Sequence, residues 1–237
     1  MSTEPPPPLP VDTDTVIIAT SADGRTEEAY RRAYEDSLRH VLDAIDRDGL
    51  QAAKVLMISS TAVYGARNGD WVDEQTPASP HSATAEILFK AEELLLARSP
   101  NATVLRLAGI YGPGRTRLID QVKSGAARKS GAVSYTNRIH RDDAAAAIVH
   151  LASLDDPARL YLGVDDEPAD RTAVLEFLAR EMEAAPLAET GGNAMEPPRD
   201  HKRCSNALLK STGFSLKYPT YREGYRSVLN NEGTKHG

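Results

Sequence analysis

Hydrophobic residues follow two alternating patterns along this chain. Short continuous apolar runs, such as the one over residues 16–20, are typical of strands that are buried on both faces of a parallel sheet. Longer stretches carry apolar residues three or four positions apart, as over residues 26–46, where Thr26 fits a helix N-cap and Gly49 a helix end. The regular alternation of the two patterns predicts an α/β fold with a parallel sheet.

The alternation continues to Asp165 and then gives way to mainly helical patterns. Strands are predicted over 16–20, 54–60, 102–107 and 160–164, with helices over 26–46, 83–98, 118–124 and 141–154. Further helices are predicted over 171–184, 205–211 and 220–229. We therefore predict a disordered proline-rich tail over residues 1–11, a sheet-containing core over 12–165 and a small, mostly helical lobe over 166–237.

Composition and charge narrow the class of ligand. A chain of 237 residues, 41% of them apolar, can fill one domain with a small appendage. The net charge of −6, without a basic run, argues against nucleic acid or an anionic membrane as a partner. No apolar stretch approaches the roughly 18 residues that span a bilayer, and the single Cys204 excludes an intramolecular disulfide. These features predict a cytoplasmic protein whose partner is a small molecule.

Ligands of parallel α/β sheets bind at the carboxyl ends of the strands, which makes the loops over 21–25, 59–65 and 108–115 the candidate ligand sites. The six histidines are not spaced with cysteines or carboxylates in the way that metal ligands are. The sequence therefore predicts an organic ligand and no metal site.

Two motifs stand at these strand ends. One is Ser59-Ser60-Thr61-Ala62-Val63-Tyr64-Gly65, and the other is Leu105-Arg106-Leu107-Ala108-Gly109-Ile110-Tyr111-Gly112-Pro113. They resemble the Ser-Ser-x-x-Val-Tyr-Gly and Leu-Arg-x-x-x-x-Tyr-Gly-Pro motifs of the extended short-chain dehydrogenases/reductases, the superfamily of NAD-dependent epimerases and dehydratases that modify nucleotide sugars. Residues 137–143 resemble the His-x-x-Asp helix start of that family, and the likeness extends over about residues 12–229.

The resemblance implies a Rossmann-type parallel sheet, NAD or NADP as cofactor and a small-molecule substrate such as a nucleotide sugar. It also implies roles for individual residues. Ser60 corresponds to the catalytic serine, and Thr20, Ser21, Ser59 and Ser60 lie on the cofactor side. The substrate side comprises Gly109, Tyr111, Arg115, Arg138 and His140.

The chain departs from the family at the catalytic Tyr-x-x-x-Lys pair. The frame set by Pro80, Ser82 and Glu92 places Thr84 at the tyrosine position and Leu88 at the lysine position. The family's chemistry needs a phenol whose pKa is lowered by a nearby ammonium group, so that it can exchange a proton with the substrate. Neither replacement side chain can do this, and we expect standard short-chain dehydrogenase catalysis to be absent.

A second departure lies at the start of the chain, where nothing before Val16 resembles the family's glycine-rich phosphate loop. The resemblance implies that the first three strands of the Rossmann sheet are absent, so that this chain alone binds NAD(P) weakly. The first strand would then have an open edge, which a second copy or another protein would cover. An upstream start of the reading frame is one alternative, and a non-catalytic Rossmann remnant acting as a binding or interaction module is another.

Several side chains have two interpretations. Ser59 and Ser60 fit hydroxyls that cap a strand end as well as ligand contacts. Arg106 fits a buried hydrogen-bond network as well as a ligand contact. Arg115 and Arg117 fit either contacts to a diphosphate or solvated surface side chains. His140 precedes two aspartates that fit the first turn of a helix.

Overall fold

The computed structural model describes residues 6–51, 53–65, 68–189 and 201–230. Along these residues the strands are Thr15–Ile18 (β1), Lys54–Ser60 (β2), Trp71–Val72 (β3), Ala102–Leu107 (β4), Gly109–Tyr111 (β5), Arg128–Lys129 (β6), Tyr135–Thr136 (β7), Arg138–His140 (β8), Leu160–Gly163 (β9), Ala169–Asp170 (β10), Ala188–Glu189 (β11) and Arg203–Cys204 (β12). The helices are Glu27–Tyr30 (α1), Ser37–Arg47 (α2), Ala83–Arg98 (α3), Arg117–Lys123 (α4), Arg141–Ser153 (α5), Arg171–Glu181 (α6), Ala207–Ser211 (α7) and Tyr221–Leu229 (α8).

The largest sheet has four strands in the order β1-β2-β4-β9, and β1 runs parallel to β2 with Val16 opposite Val55. This arrangement confirms the predicted α/β class with a parallel sheet. The strands and helix predicted over 54–60, 102–107 and 83–98 coincide with β2, β4 and α3. Long apolar runs and capped amphipathic stretches were therefore sufficient to locate these elements.

The remaining strands form two-stranded pairs that the sequence did not predict. They are β5 with β8, β6 with β11 and β3 with β12, all parallel, and β7 with β10, which is antiparallel. Each of these strands has only two or three residues, which is too short for an alternating pattern to be visible. The long first helix also differs from the prediction, because a π-helical turn over Arg31–Asp36 separates α1 from α2.

The chain divides into two compact units that alternate along the sequence. The first unit comprises Met1–Gly65, Thr76–Arg106 and Ile148–Tyr161, and the second comprises Ala66–Gln75, Leu107–Ala147 and Leu162–Gly237. The core of the first unit is built from β1, α2, β2, α3 and β4, with Leu42, Met57 and Leu95 among its buried residues. The core of the second unit lies around α4, α6 and α8.

The predicted boundaries at residues 11 and 165 are linear, whereas the two units interleave. Residues 107–147 group with the C-terminal segment, as in the pairing of β7 with β10. Residues 1–5 of the predicted tail lie outside the described residues, and within the rest the Leu9 amide donates to the Asp48 carboxylate at 2.8 Å. The division into a core over residues 12–165 and a helical lobe over 166–237 stays a prediction.

None of the described helices combines the length and the apolar composition needed to cross a bilayer.

Candidate functional site

The serine motif lies at the carboxyl end of β2, in the first unit. Ser59 is buried, and its hydroxyl donates to Glu92 Oε1 at 2.5 Å. Ser60 is half-buried, and its Oγ accepts from the Ala62 amide at 3.2 Å, which caps the 3₁₀ turn Thr61–Tyr64. Both hydroxyls thus have structural roles, but the Ser60 hydrogen is bonded to no described residue. Ser60 therefore remains able to donate to a ligand.

Glu92 is also the partner of Arg106. The Arg106 Nη2 lies 2.6 Å from Glu92 Oε2, and both side chains are at most 5% exposed. Burial alone would lower the pKa of Arg106, but the hydrogen bonds that it donates to Glu92, together with the negative charge of that carboxylate, outweigh burial and raise the pKa. The guanidinium also lies 4.7 Å from the centre of the buried Tyr64 ring. These contacts favour the network interpretation of Arg106 and a packing role for Tyr64.

Helix α3 contains the two positions that the resemblance assigns to the catalytic pair. Ser82 is the N-cap of α3 and accepts from the Ala85 amide at 3.2 Å. Thr84, at the position predicted for the tyrosine, is half-buried, with its Oγ1 3.3 Å from the Ser82 hydroxyl. Leu88, at the position predicted for the lysine, is only 4% exposed. Its side chain therefore belongs to the core and supplies no ammonium group.

Lys90 carries the nearest ammonium group along α3, and this group forms an ion pair at the surface. Its Nζ lies 2.8 Å from Glu86 Oε1, and both side chains are more than half exposed. Such a surface pair one helical turn apart contributes little to stability.

The loop after β1 carries the other predicted cofactor contacts. Thr20 is half-buried and Ser21 is exposed, and Ser21 lines a small cleft together with Asp23 and Arg32. Beside it, burial raises the pKa of Tyr34, partly offset by a hydrogen bond from the Ala22 backbone. The loop thus offers hydroxyl groups to a ligand, and the following helical turn adds the Arg32 guanidinium.

These features fit a dinucleotide only in part. The hydroxyls of Thr20, Ser21 and Ser60 suit the polar atoms of such a cofactor. A diphosphate needs free backbone amides at a helix start, and here the first turn of α1 contains Glu27 and Glu28, whose carboxylates oppose an anion. No catalytic step through the cofactor follows from these residues.

The second unit brings together four of the five predicted substrate-side residues. In the parallel pair of β5 with β8, Gly109 stands opposite Arg138 and Tyr111 stands opposite His140. The rings of Tyr111 and His140 meet edge to face, with their centres 5.4 Å apart. Arg115 follows in an exposed loop, where with Arg117 it lines an open cleft at the start of α4. Motifs thirty residues apart in sequence are thus adjacent because two short strands pair.

This strand pair has an unusual set of buried polar atoms. Among the described residues, four buried side-chain atoms have no hydrogen-bond partner: the Tyr111 hydroxyl, Arg138 Nη1, His140 Nε2 and Asp165 Oδ2. Buried polar groups are normally paired, because an unpaired one loses its hydration without compensation. The set provides hydrogen-bonding capacity that a polar ligand could satisfy.

Burial determines the charge of these groups. It raises the pKa of Asp165 to about 8, against the opposing effect of Arg138, and it raises the pKa of Tyr111 far above its usual range. Burial lowers the pKa of His140, whose Nδ1 accepts from the Asp142 amide at 3.2 Å. A neutral His140 ring therefore carries its proton on Nε2 and is a hydrogen-bond donor there.

The two aspartates after His140 have separate roles. Asp143 is buried and accepts from the backbone amides of Lys217 and Tyr218 at 2.7 and 3.0 Å. It thus holds a distant segment in place, beyond the helix-start role that the sequence indicated. Sequence motifs also gave no signal for Asp165, although the spacing of Tyr221 and Tyr225 along α8 marks the face that covers this region.

Comparison with known proteins now identifies the family. Residues 10–161 match the NAD dependent epimerase/dehydratase family, which is more than half of the chain. The chain belongs to this family. The resemblance to extended short-chain dehydrogenases/reductases is therefore confirmed, and the family is NAD-dependent by its description.

Individual relatives agree with this assignment. Protein YeeZ of Escherichia coli K12 is 27% identical over 213 residues, which is 88% of this chain and 73% of YeeZ. The structure of a putative NAD-dependent epimerase/dehydratase from Methylobacillus flagellatus is 37% identical, with a TM-score of 0.72 over 86% of this chain and 72% of that one. A functionally unknown conserved protein from Silicibacter pomeroyi DSS is 30% identical, with a TM-score of 0.74 over 93% and 78%.

A more distant structure, MoeE5 in complex with UDP-glucose and NAD, has a TM-score of 0.75 at 21% identity, covering 92% of this chain and 78% of MoeE5. At this identity the likeness concerns the fold alone. It supports the Rossmann-type assignment of the four-stranded sheet.

The contact between Tyr111 and α8 yields a stability prediction. A Cβ added at Gly224 would lie 1.9 Å from the Tyr111 hydroxyl oxygen, so Gly224→Ala should lower the free energy of unfolding by about 1–3 kcal/mol or more. Tyr111→Phe removes the oxygen and should partly relieve the clash in the double variant. Urea denaturation of the single and double variants would measure this coupling. Additive effects, or a neutral Gly224→Ala, would contradict the packing.

Asp165 yields a prediction about pH. Its folded-state pKa of about 8 is above its ordinary value of 3.8, so the folded protein binds the extra proton. Its contribution to stability is therefore complete below about pH 4 and is lost as the pH rises through about 8. Asp165→Asn should remove this dependence. The free energy of unfolding of the variant, relative to that of the parent, should therefore be higher at pH 8 than at pH 5. Parallel urea titrations would check this, and an unchanged stability difference would refute it.

Proposed function

We propose that this chain keeps the small-molecule binding of the nucleotide-sugar-modifying enzymes of its family but lacks their tyrosine–lysine proton transfer. One observation carries the proposal. Leu88 is buried at the lysine position of a helix whose Ser82 cap and buried Glu92 preserve the family's frame. A buried leucine within this framework supports the proposal of ligand binding without the standard relay.

The proposed cofactor is NAD or NADP, bound weakly by this chain alone. Thr20, Ser21, Ser59 and Ser60 are the proposed contacts, with Ser60 the best placed because its hydroxyl hydrogen has no described acceptor. Weak binding follows from the carboxylates of Glu27 and Glu28 in the first turn of α1. Ser60 would orient a hydroxyl or amide of the bound molecule, which is a positioning role that needs no ionisation.

The proposed substrate-side residues are Gly109, Tyr111, Arg115, Arg138 and His140. The buried polar atoms of the β5–β8 pair favour a ligand rich in hydroxyl groups, which both donate and accept hydrogen bonds. The exposed Arg115 suits a diphosphate, because a guanidinium pairs with two phosphate oxygens at once. A nucleotide sugar combines both groups. A cytoplasmic location is part of the same proposal.

The binding proposal is tested by titration. NADH and NADPH binding is followed by nicotinamide fluorescence, and UDP-glucose binding by calorimetry. We expect weak saturable binding of the cofactors and no NAD-dependent turnover of the sugar. Arg115→Ala should weaken UDP-glucose binding about tenfold or more, whereas Arg39→Ala, which removes an exposed arginine of the first unit, should not. Absence of any binding, or turnover in the pure chain, would refute the proposal.

A second candidate is a non-catalytic interaction module. It is favoured by the position of β1 at the edge of the four-stranded sheet, where Ile17 is 46% exposed. An edge strand offers unpaired backbone groups to another strand, and an exposed β-branched residue there strengthens such pairing. The occupant of this edge would be a second copy of the chain or another protein.

The edge proposal predicts the state of the protein in solution. We expect the chain to self-associate, and Ile17→Lys to shift it toward monomer because a charge on an edge strand opposes pairing. Ile17→Val is the matched control and should leave association unchanged. Light scattering across a concentration series measures both variants. A parent protein that stays monomeric at every concentration would count against pairing between copies.

A further inference from the structure

The exposed Trp71 is a feature that the proposed function leaves without a role. It is the single tryptophan of the chain, and 56% of its surface is exposed although it lies on β3 within a strand pair. Tryptophan is a costly residue to leave in water, and exposed indoles are concentrated at recognition surfaces. The surroundings of Trp71 indicate what it recognises.

Trp71 is the outer end of a ladder of flat groups within the second unit. The Arg203 guanidinium carbon lies 5.2 Å from the centre of the indole and 5.0 Å from the centre of the Tyr135 ring. Tyr135 in turn stacks on His201, with ring centres 5.6 Å apart and planes 5° from parallel. The four flat groups therefore support one another, and the indole is the most exposed of them.

Backbone hydrogen bonds hold the ladder in place. Trp71 and Arg203 are opposite each other in the parallel pair of β3 with β12. The Arg203 Nε donates to the Gly69 carbonyl at 2.7 Å, and the Gly69 amide donates to the His201 carbonyl at 2.7 Å. A Cβ at Gly69 would lie 3.2 Å from the His201 ring, so glycine permits this close approach. The Tyr135 amide donates to His201 Nδ1 at 3.0 Å, which fixes that ring as well.

The groups of this ladder that are available to a ligand indicate the class of that ligand. An exposed indole face stacks on planar rings, and the two terminal nitrogens of Arg203 form no hydrogen bond with a described residue. A guanidinium only donates hydrogen bonds, and it pairs best with carbonyl and phosphate oxygens. A free sugar presents hydroxyls and no planar ring, so it matches the site less well. The net charge of −6 argues against a nucleic acid polymer.

We propose that Trp71, backed by Arg203, is a stacking platform for the base of a nucleotide, with the guanidinium donating to a carbonyl or phosphate oxygen of the same molecule. The platform deepens the proposed function and rests on it for the identity of the ligand, because a nucleotide sugar would supply such a base. The stacking itself requires no catalysis and no cofactor.

The test uses the full chain and UMP, with AMP and GMP in parallel. Because the chain has one tryptophan, indole emission excited at the red edge of its band reports on Trp71 alone. N-acetyltryptophanamide titrated in the same way corrects for absorption and collisional quenching. We expect quenching of the protein that saturates with nucleotide, beyond that of the free indole, and no saturable response to glucose.

Variants separate stacking from mere apolar contact. Trp71→Leu keeps an apolar side chain but removes the ring, and it should weaken UMP binding roughly 5- to 100-fold by calorimetry. Trp71→Tyr retains a ring and should bind within about threefold of the parent. Arg203→Lys keeps the positive charge but removes the planar guanidinium. Its affinity for UMP should lie between those of Trp71→Leu and Trp71→Tyr. Urea denaturation confirms that each variant is folded. The Trp71 variants are the decisive ones, because an exposed side chain can be replaced with little effect on the fold.

The outcomes distinguish this inference from the proposed function. Equal binding of UMP by the parent and Trp71→Leu overturns the platform, even if UDP-glucose still binds through Arg115. Glucose that quenches Trp71 as well as UMP does also overturns it, because the surface would then recognise pyranose rings. If UMP quenches the parent and calorimetry shows weaker UMP binding by Trp71→Leu while UDP-glucose shows no Arg115-dependent binding, the platform stands and the proposed function fails.

Discussion

The buried carboxylate of Glu92 is the interaction on which the first unit depends. It lies on α3 and binds Arg106 of β4 and Ser59 of β2, so one desolvated charge connects a helix with two strands of the sheet. Removal of either charged partner would leave the other unpaired in an apolar interior, which typically costs about 3–5 kcal/mol. The constraint also fixes the rotation of α3 about its axis. That rotation places Leu88 in the core.

This constraint makes the packing of α3 independent of the two positions predicted for the catalytic pair. Glu92, Arg106 and Ser59 hold one another through hydrogen bonds that involve neither Thr84 nor Leu88. The side chains at those two positions can therefore differ without disturbing the packing of α3, and a leucine gains core contacts that a lysine could make only by burying its charge. In α3 the side chain that stabilises the fold, Glu92, is different from the side chains at the two positions predicted for catalysis. A change at those positions therefore leaves the fold intact.

The second unit differs from the first, because several of its buried polar groups lack hydrogen-bond partners. Arg138, Asp165, Tyr111 and His140 are enclosed beneath aromatic side chains, yet each retains an atom without a partner among the described residues. Unpaired interior groups reduce stability, so they are commonly associated with sites where a ligand or a change of protonation compensates. The platform at Trp71 belongs to the same unit but differs in kind, since its flat groups stack on one another while the outer indole face and the terminal nitrogens of Arg203 stay open to a ligand.

The sequence by itself determined the class of fold, the longer strands, the helix α3 and the family. These features depend on local periodicity and on contiguous motifs, which are complete within short stretches of chain. Only the tertiary structure decided that Ser59 is bound to Glu92, that Gly109 and Tyr111 face Arg138 and His140, and that Trp71 is stacked on Arg203. Those contacts join residues 29 to 132 positions apart through two- and three-residue strands or single side chains, and such pairings leave no periodic trace in the sequence.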